Sequence, residues 1–581
     1  MKGINDMSTE EKLTGYPSID KPWLKYYSEE AINAKLPECT IYEYLWENNK
    51  YYLNDIALIY FDRKITYKKL FKNIEKTASA LKAIGIGNGD IVTIQALSLP
   101  QVIYIIYALS KIGGIANLIY ATSTPKEVNE SLEQTKSKLY ITIDSIYSKF
   151  NATISAPQLK NTILLSVADE MPTMLKVAYN IKNKATKCES EIITWKDFLK
   201  TANNTDIPVS GKSSDTVVMV YTGGTTGKSK GVMLSNYNLN VSAKQCSCYD
   251  MQRQEIFLSI VPPFIAFGVT LTIHLPLTLG EKLALGISAD PSNVSNFIVK
   301  FKPNYIICGT AQMEKVLQNL KNVRINLSNI KWLVTGGDSL SERLEEEINE
   351  WLQSKNSTIK VTQGYAMSET SASSVISVHT KTKIITKKGT IGIPLVYTNI
   401  KIVDADTGKE KKYGEEGEIC INTPCTMQGY FNNEEETQNV LKTHNDGKVW
   451  VHTGDIGSID EDGFIKITGR IKRIILTWEN GVCHKVFPKV IEDSLLKTGV
   501  VKSISIVGRK KAHGDNELIA FLALENRAIE EDALAVIEQH ALNNFEIYER
   551  PVKYIVKDRL PLTTIGKVDY RALEKEASLI Q

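Results

Sequence analysis

An α/β fold of layered, largely parallel sheets, followed by a small β-rich region and a small α+β domain, is what this sequence predicts, and three observations predict it. Short β-rich runs alternate with amphipathic helical stretches for most of the length. From about residue 390 the texture changes to short strands and tight turns. At Arg470-Ile471-Lys472-Arg473 charged residues gather, and the chain beyond has the size of a small domain. A boundary near Lys472 is therefore expected. It divides a large N-terminal domain (residues 1–470, β-rich subdomain about 390–470) from a C-terminal domain (471–581).

Each element has a local reason. Ile65-Thr66-Tyr67 leads into a helix from Lys68 to Ile84, with Leu70, Ile74, Ala78, Leu81 and Ile84 along one face. Asn88-Gly89-Asp90 turns the chain into a strand at Ile91–Ile94. The alternation returns at Lys138–Ile143 and at Trp332–Val334. Asp406-Thr407-Gly408 and Asp460-Glu461-Asp462-Gly463 are hairpin turn signals, and a late helix from Ile529 to Leu542 carries Leu534, Ile537 and Ala541 on one side. No internal repeat interrupts this order.

Composition narrows the function classes. With 43% hydrophobic and 23% charged residues among 581, the chain is globular rather than disordered or fibrous. Lys+Arg 69 against Asp+Glu 66 gives a formal net charge of +3, so nucleic-acid binding finds no basic footprint. The eight cysteines contain no Cys-x-x-Cys, and the Cys246–Cys248 spacing fits no common metal site. Reduced, buried thiols in a cytoplasmic protein are expected. Met1–Lys12 carries no apolar h-region of a secretory signal. The greasiest stretch, Ile91–Tyr120, is broken by Gln95, Pro100, Gln101 and Lys111, and so reads as buried α/β structure rather than a membrane span. A peripheral membrane contact is left open.

The sharpest local signal is Tyr221-Thr222-Gly223-Gly224-Thr225-Thr226-Gly227-Lys228-Ser229-Lys230-Gly231. It follows the apolar strand Thr216–Val220 and precedes a helix that Ser235 could cap. Glycines let backbone N–H groups approach an anion, hydroxyls add donors, and lysines add charge, so phosphate is the natural ligand. It is no Walker A loop, because Thr222 stands where that motif needs glycine.

This segment resembles the phosphate loop of the adenylate-forming superfamily, which comprises acyl-CoA synthetases, peptide-synthetase adenylation domains and luciferase. Further motifs of that family follow in order over nearly the whole chain, and Lys21-Pro22-Trp23-Leu24 with Ile65-Thr66-Tyr67 resembles the long-chain fatty acid CoA ligase branch. The resemblance makes residues 1–470 the AMP-binding domain. It assigns Thr222, Gly223, Gly224, Thr225, Thr226, Gly227 and Lys230 to the phosphates, and Gly336 and Gly337, ahead of Asp338-Ser339, to the wall of the adenine site. In Gln363-Gly364-Tyr365-Ala366-Met367-Ser368-Glu369-Thr370 it implies that Gly364 and Tyr365 meet adenine, that Ser368 contacts the α-phosphate, and that Glu369 holds Mg²⁺. Ala366 and Ser368 stand where Gly and Thr are usual. Trp450-Val451-His452-Thr453-Gly454-Asp455 resembles the strand end whose aspartate binds both ribose hydroxyls, with Arg470 reaching the ribose and Lys472 at the hinge of a mobile C-terminal domain. Arg473 reads as a solvated basic residue. Leu560-Pro561-Leu562-Thr563-Thr564-Ile565-Gly566-Lys567 resembles the catalytic-lysine motif, so Lys567 would bridge the substrate carboxylate and the α-phosphate.

The resemblance implies an ATP- and Mg²⁺-dependent ligase that makes an acyl-adenylate and passes the acyl group to coenzyme A. An acyl-AMP ligase loading a carrier-protein thiol is the alternative. In Val261-Pro262-Pro263-Phe264-Ile265-Ala266-Phe267-Gly268, Phe264, Ile265 and Phe267 line the expected substrate pocket. Amino-acid-activating relatives place Asp where Ile265 stands. An ammonium buried unpaired against isoleucine is costly, so an aliphatic carboxylic acid is expected. Thr477–Pro488 reads as a surface loop longer than its family counterpart, which helps form the pantetheine tunnel.

Overall fold

The computed structural model describes residues 13–150, 154–182, 192–203, 206–222, 229–249, 251–287, 293–479, 482–511, 515–525, 529–563 and 567–580. Among them, two large twisted sheets carry most of the chain. One has eight strands: Ile91–Gln95, Ile115–Ile119, Leu139–Ile143, Asn161–Leu165, Ile192–Thr194 and Thr216–Tyr221 run parallel, with Gly231–Ser235 and Gly429–Tyr430 antiparallel at one edge. The other has nine strands, with a parallel centre of Thr362–Tyr365, Trp332–Gly336, Tyr305–Gly309, Ile256–Ser259, Lys282–Leu285 and Ile56–Tyr60. One apolar core joins both sheets and the helices between them. The predicted layered α/β class is what the chain adopts.

The long apolar run resolves into a strand, a helix and a strand. Its helix, Pro100–Ile112, is buried along its whole length. Pro100 occupies the first turn, where its missing N–H costs nothing, and Gly113 ends the helix in the left-handed region at φ 76°. The polar interruptions are satisfied inside: Gln101 donates to the Ser166 carbonyl at 3.0 Å, and Lys111 pairs with Glu75 at 2.5 Å. The preceding helix, Tyr67–Ala83, starts where the Thr66 hydroxyl accepts from the Lys69 N–H. No helix among the described residues is long and apolar enough to cross a membrane.

A five-stranded antiparallel sheet spans Asn399 to Arg470, and its turns fall at the Asp-Gly signals. Beyond it, Val501–Lys510, Asn516–Leu524 and Lys553–Val556 form a three-stranded sheet. Helix Pro488–Leu496 and helix Glu530–Asn544 pack on it through Ile491, Leu495 and Ile537.

Three expectations are corrected. The stretch 477–488 is not a plain loop: Ile475–Glu479 and Val482–Val486 pair as an antiparallel hairpin, because β-branched and aromatic residues line both arms. His484 stacks on Tyr548 at 3.9 Å and ties the hairpin to the short turn Ile547–Glu549. Arg473 is not solvated; it donates to Glu492 at 2.6 Å and lies over the Tyr570 ring. Nor are all thiols buried, since Cys483 is exposed and Cys39 and Cys248 are half-buried.

Candidate active site

Part of the predicted site comes together where Tyr365 of the nine-stranded sheet meets Asp455 of the five-stranded sheet. Strands Trp332–Gly336 and Thr362–Tyr365 approach so closely that a side chain at Gly336 would stand 3.1 Å from the Gly364 carbonyl oxygen. Two glycines at this crossing leave a flat backbone wall, and Gly337 turns out of it at φ 84°. Asp338 follows, its carbonyl accepting from Thr310 at 3.1 Å. Ser368, Glu369 and Thr370 form a short 3-10 turn after the strand that carries Tyr365.

Asp455 lies inside the long strand Val449–Ile459 rather than at a strand end as expected. Gly454, at φ 71°, and slips in the ladder beside both neighbouring strands bend the backbone here without ending it. Asp455 is buried and gathers two partners: Tyr365 donates to Oδ2 at 2.7 Å, and Arg470 donates through Nε to Oδ1 at 2.7 Å. Burial raises the Tyr365 phenol well above its ordinary value, and the Asp455 charge raises it further. Burial works against the Arg470 charge, but Asp455 outweighs it and the pKa is raised.

Around Glu369 the sequence reading missed two contributors. Tyr430 donates to Glu369 Oε1 at 2.6 Å, and Lys230 lies 4.7 Å over the same Tyr430 ring while pairing with Glu436. Neither Tyr430 nor Glu436 belongs to a recognisable local motif; only the fold brings them in. The Glu369 carboxylate is buried and fixed by a phenol, a hard oxygen donor suited to Mg²⁺. Thr222 is tied to the return of its loop, its N–H donating to the Lys230 carbonyl at 3.1 Å. Gly223, Gly224, Thr225, Thr226 and Gly227 lie outside the described residues.

Lys567 stands opposite Thr563, its carbonyl accepting from the Thr563 N–H at 2.7 Å beside an antiparallel bridge of Leu562 with Val568; Thr564, Ile565 and Gly566 lie outside the described residues. The side chain keeps solvent contact, yet the protein crowded around it lowers its pKa, and Arg470 lowers it further. Asp338, Asp455 and Glu369 pull the other way. Lys472 is exposed in the short turn Ile471–Arg473 that leaves the five-stranded sheet.

Phe264, Ile265 and Phe267 are half-buried at the start of a short helix. Phe264 meets the Tyr120 ring edge-on at 5.3 Å, and Tyr120 donates to the Tyr221 carbonyl at 3.0 Å, linking this wall to the phosphate-loop strand. Gly268 is required, since a Cβ there would lie 1.9 Å from the Pro262 carbonyl oxygen.

A layered α/β body thus carries the close Gly336–Gly364 crossing and, on the neighbouring sheet, the buried Asp455 held by Tyr365 and Arg470. The sequence pattern of the family described as AMP-binding enzyme matches residues 45–431, and the chain belongs to that family. It is an acid–thiol ligase of the adenylate-forming superfamily. A long-chain-fatty-acid–CoA ligase of Bacillus subtilis (strain 168) is 28% identical over 96% of this chain and 98% of its own. A 4-coumarate–CoA ligase of Humulus lupulus is 27% identical over 93% and 96%. Among solved structures, an anthranilate CoA ligase in complex with anthranoyl-AMP superposes with TM-score 0.78 at 20% identity, covering 94% of this chain and 99% of its own. An o-succinylbenzoate coenzyme A synthetase from Bacillus subtilis, in complex with ATP and magnesium ion, superposes with TM-score 0.70 at 23% identity, covering 92% and 99%.

Proposed function

We propose that this enzyme activates a fatty, aliphatic carboxylic acid with ATP and transfers the acyl group to the thiol of coenzyme A, releasing pyrophosphate and then AMP. The observation that carries the reading is the buried Asp455 carboxylate, held by Tyr365 from one sheet and Arg470 from the neighbouring strand, with a second buried carboxylate, Glu369, fixed by Tyr430. In the first half, the substrate carboxylate attacks the α-phosphorus while Lys567 neutralises both anions. Two unit charges at ~4 Å repel by about 4 kcal/mol at an effective dielectric of ~20, so one cation between them matters. Asp455 and Arg470 hold the ribose, Tyr365 and the Gly336–Gly337 and Gly364 wall hold the adenine, and Ser368 and Lys230 meet the phosphates. Mg²⁺, when bound at Glu369, neutralises phosphate charge.

In the second half the thiol attacks the acyl carbon. We assign the residues from 471 onward to a mobile domain pivoting at Lys472, which withdraws Lys567 between the halves. The ion pairs Arg343–Glu525 and Lys497–Glu342 that cross this boundary are surface pairs, worth about 0–1 kcal/mol each, and offer little resistance to such a movement. The aliphatic preference rests on Ile265 and on the fatty-acid ligase among the relatives. Pyrophosphate release across fatty, aryl and amino acids, with CoA present and absent, tests it. Fatty acids should yield acyl-CoA and AMP; turnover of aryl or amino acids alone would overturn the substrate class.

A further inference from the structure

In the five-stranded sheet, three side chains of metal-binding type stand together. Cys420 and His452 are directly opposed in the ladder between Gly417–Asn422 and Val449–Ile459. His444 returns from the turn before the second of these strands. The His444 and His452 Nε2 atoms are 2.9 Å apart, and Cys420 Sγ is 3.7 Å from His452 Nδ1. We propose that Cys420, His444 and His452 bind a single borderline-soft divalent cation of the zinc kind, with one position left to solvent.

The donor set and its spacing carry the assignment. One ligand atom from each residue lies within 4.8 Å of the other two, so an ion at their centre is no more than about 2.8 Å from each, against ~2.0–2.3 Å for zinc–nitrogen and zinc–sulfur bonds. Small side-chain rotations close that gap. Glu418 supplies the outer contact that metal-bound imidazoles usually have. Its Oε2 is 2.7 Å from His452 Nδ1, while the other ring nitrogen, Nε2, faces His444. Glu418 is itself held by the Gly454 N–H at 2.9 Å. Trp450, buried, stacks on the His444 ring at 5.7 Å and walls the site, and Cys420 is buried beside it. Nothing in the spacing of these residues announces the cluster, because one cysteine and two histidines come from three separate segments. Binding replaces the Cys420 thiol proton, releasing one proton per ion.

Cobalt(II) is the probe, added to the full-length chain with no acid, ATP or CoA, so the outcome is independent of the ligase reading. One equivalent should produce a near-ultraviolet thiolate-to-cobalt charge-transfer band and visible bands of a tetrahedral ion, quench Trp450, and be displaced by one equivalent of zinc. The Cys420→Ser protein should lose the charge-transfer band, and His444→Ala, a half-buried position, should weaken cobalt binding at least 10-fold. A Cys483→Ser protein should behave as wild type, since that thiol is exposed and remote in sequence. No tetrahedral spectrum in the wild-type protein, or a charge-transfer band surviving in folded Cys420→Ser, overturns the proposal. If Cys420→Ser fails to fold, an unchanged cobalt affinity in His444→Ala does so.

Discussion

Asp455 and Arg470 stand directly opposite each other on adjacent antiparallel strands, and the guanidinium donates to both carboxylate oxygens, at 2.7 and 3.3 Å. The pairing fixes the carboxylate before any nucleotide arrives, so little ordering is left for binding to supply. It also balances charge at the place where the Lys567 ammonium adds another cation.

Asp455→Asn should therefore weaken ATP without unfolding the protein. Hydrogen bonds to charged groups contribute about 1.5–3 kcal/mol, so the KM for ATP should rise roughly 10- to 100-fold. Pyrophosphate exchange at varied ATP measures it, with a melting curve as control. An unchanged KM removes Asp455 from the nucleotide site.

Lys567→Ala should lower acid-dependent pyrophosphate exchange by about 100-fold or more while ATP still binds, the loss typical of a group acting on transition-state charge. The pH profile carries a second test. The protein crowded around Lys567, then Arg470, lowers its pKa, and the proposed role needs the protonated form. Exchange should fall as pH rises through that lowered value, with the alkaline limb below the ~10.4 of an ordinary lysine. Arg470→Gln removes one lowering cause and should move the limb upward. A limb at the ordinary lysine value, unmoved in Arg470→Gln, would show that Lys567 does not titrate in this environment.

His274 is fully buried, its ring bonded to Tyr107 and Asn240, and burial pushes its pKa down to about 3 from 6.5. Between those values the unfolded chain binds the extra proton and the folded chain does not. Stability from this residue is thus complete above pH 6.5 and declines as pH falls, by up to about 1.4 kcal/mol per unit. Chemical denaturation from pH 7 to pH 4 should show that slope, and it should flatten in His274→Gln. An equal slope in both proteins would assign the acid sensitivity elsewhere.

The parts of this molecule that were legible in its sequence are those with local causes. Ile65-Thr66-Tyr67 leads into its helix, Ser235 caps the helix after the glycine-rich segment, and the Asp-Gly turns fall between strands, so each is read in place. What escaped was set by distance along the chain. Arg473 reads as one more cation until Glu492 meets it, and Tyr430 has no neighbours in sequence that point to Glu369. By resemblance Asp455 reads as a strand end, whereas the strand bends at Gly454 and runs on to Ile459. The pairing of Cys420 with His452 is a matter of register between two strands, which composition does not encode.

The hairpin Ile475–Val486 changes what its own test must be. As a loop it could simply be shortened; as two paired strands anchored by His484 on Tyr548, shortening would break the ladder and confound the result. Its outer face supplies a gentler probe. Leu476 and Trp478 are large apolar residues left exposed there, Trp478 by 51%. Exposed aromatic side chains cost little to remove from a fold and much to remove from a binding surface. If the hairpin lines the thiol path, Trp478→Ala should slow acyl-CoA formation several-fold and raise the KM for CoA, with pyrophosphate exchange and melting temperature within error of wild type. Single-turnover transfer from preformed acyl-adenylate to CoA measures the step directly. Unaltered transfer would leave the hairpin outside the acceptor site, and an equal fall in exchange would place its effect in the adenylation half instead.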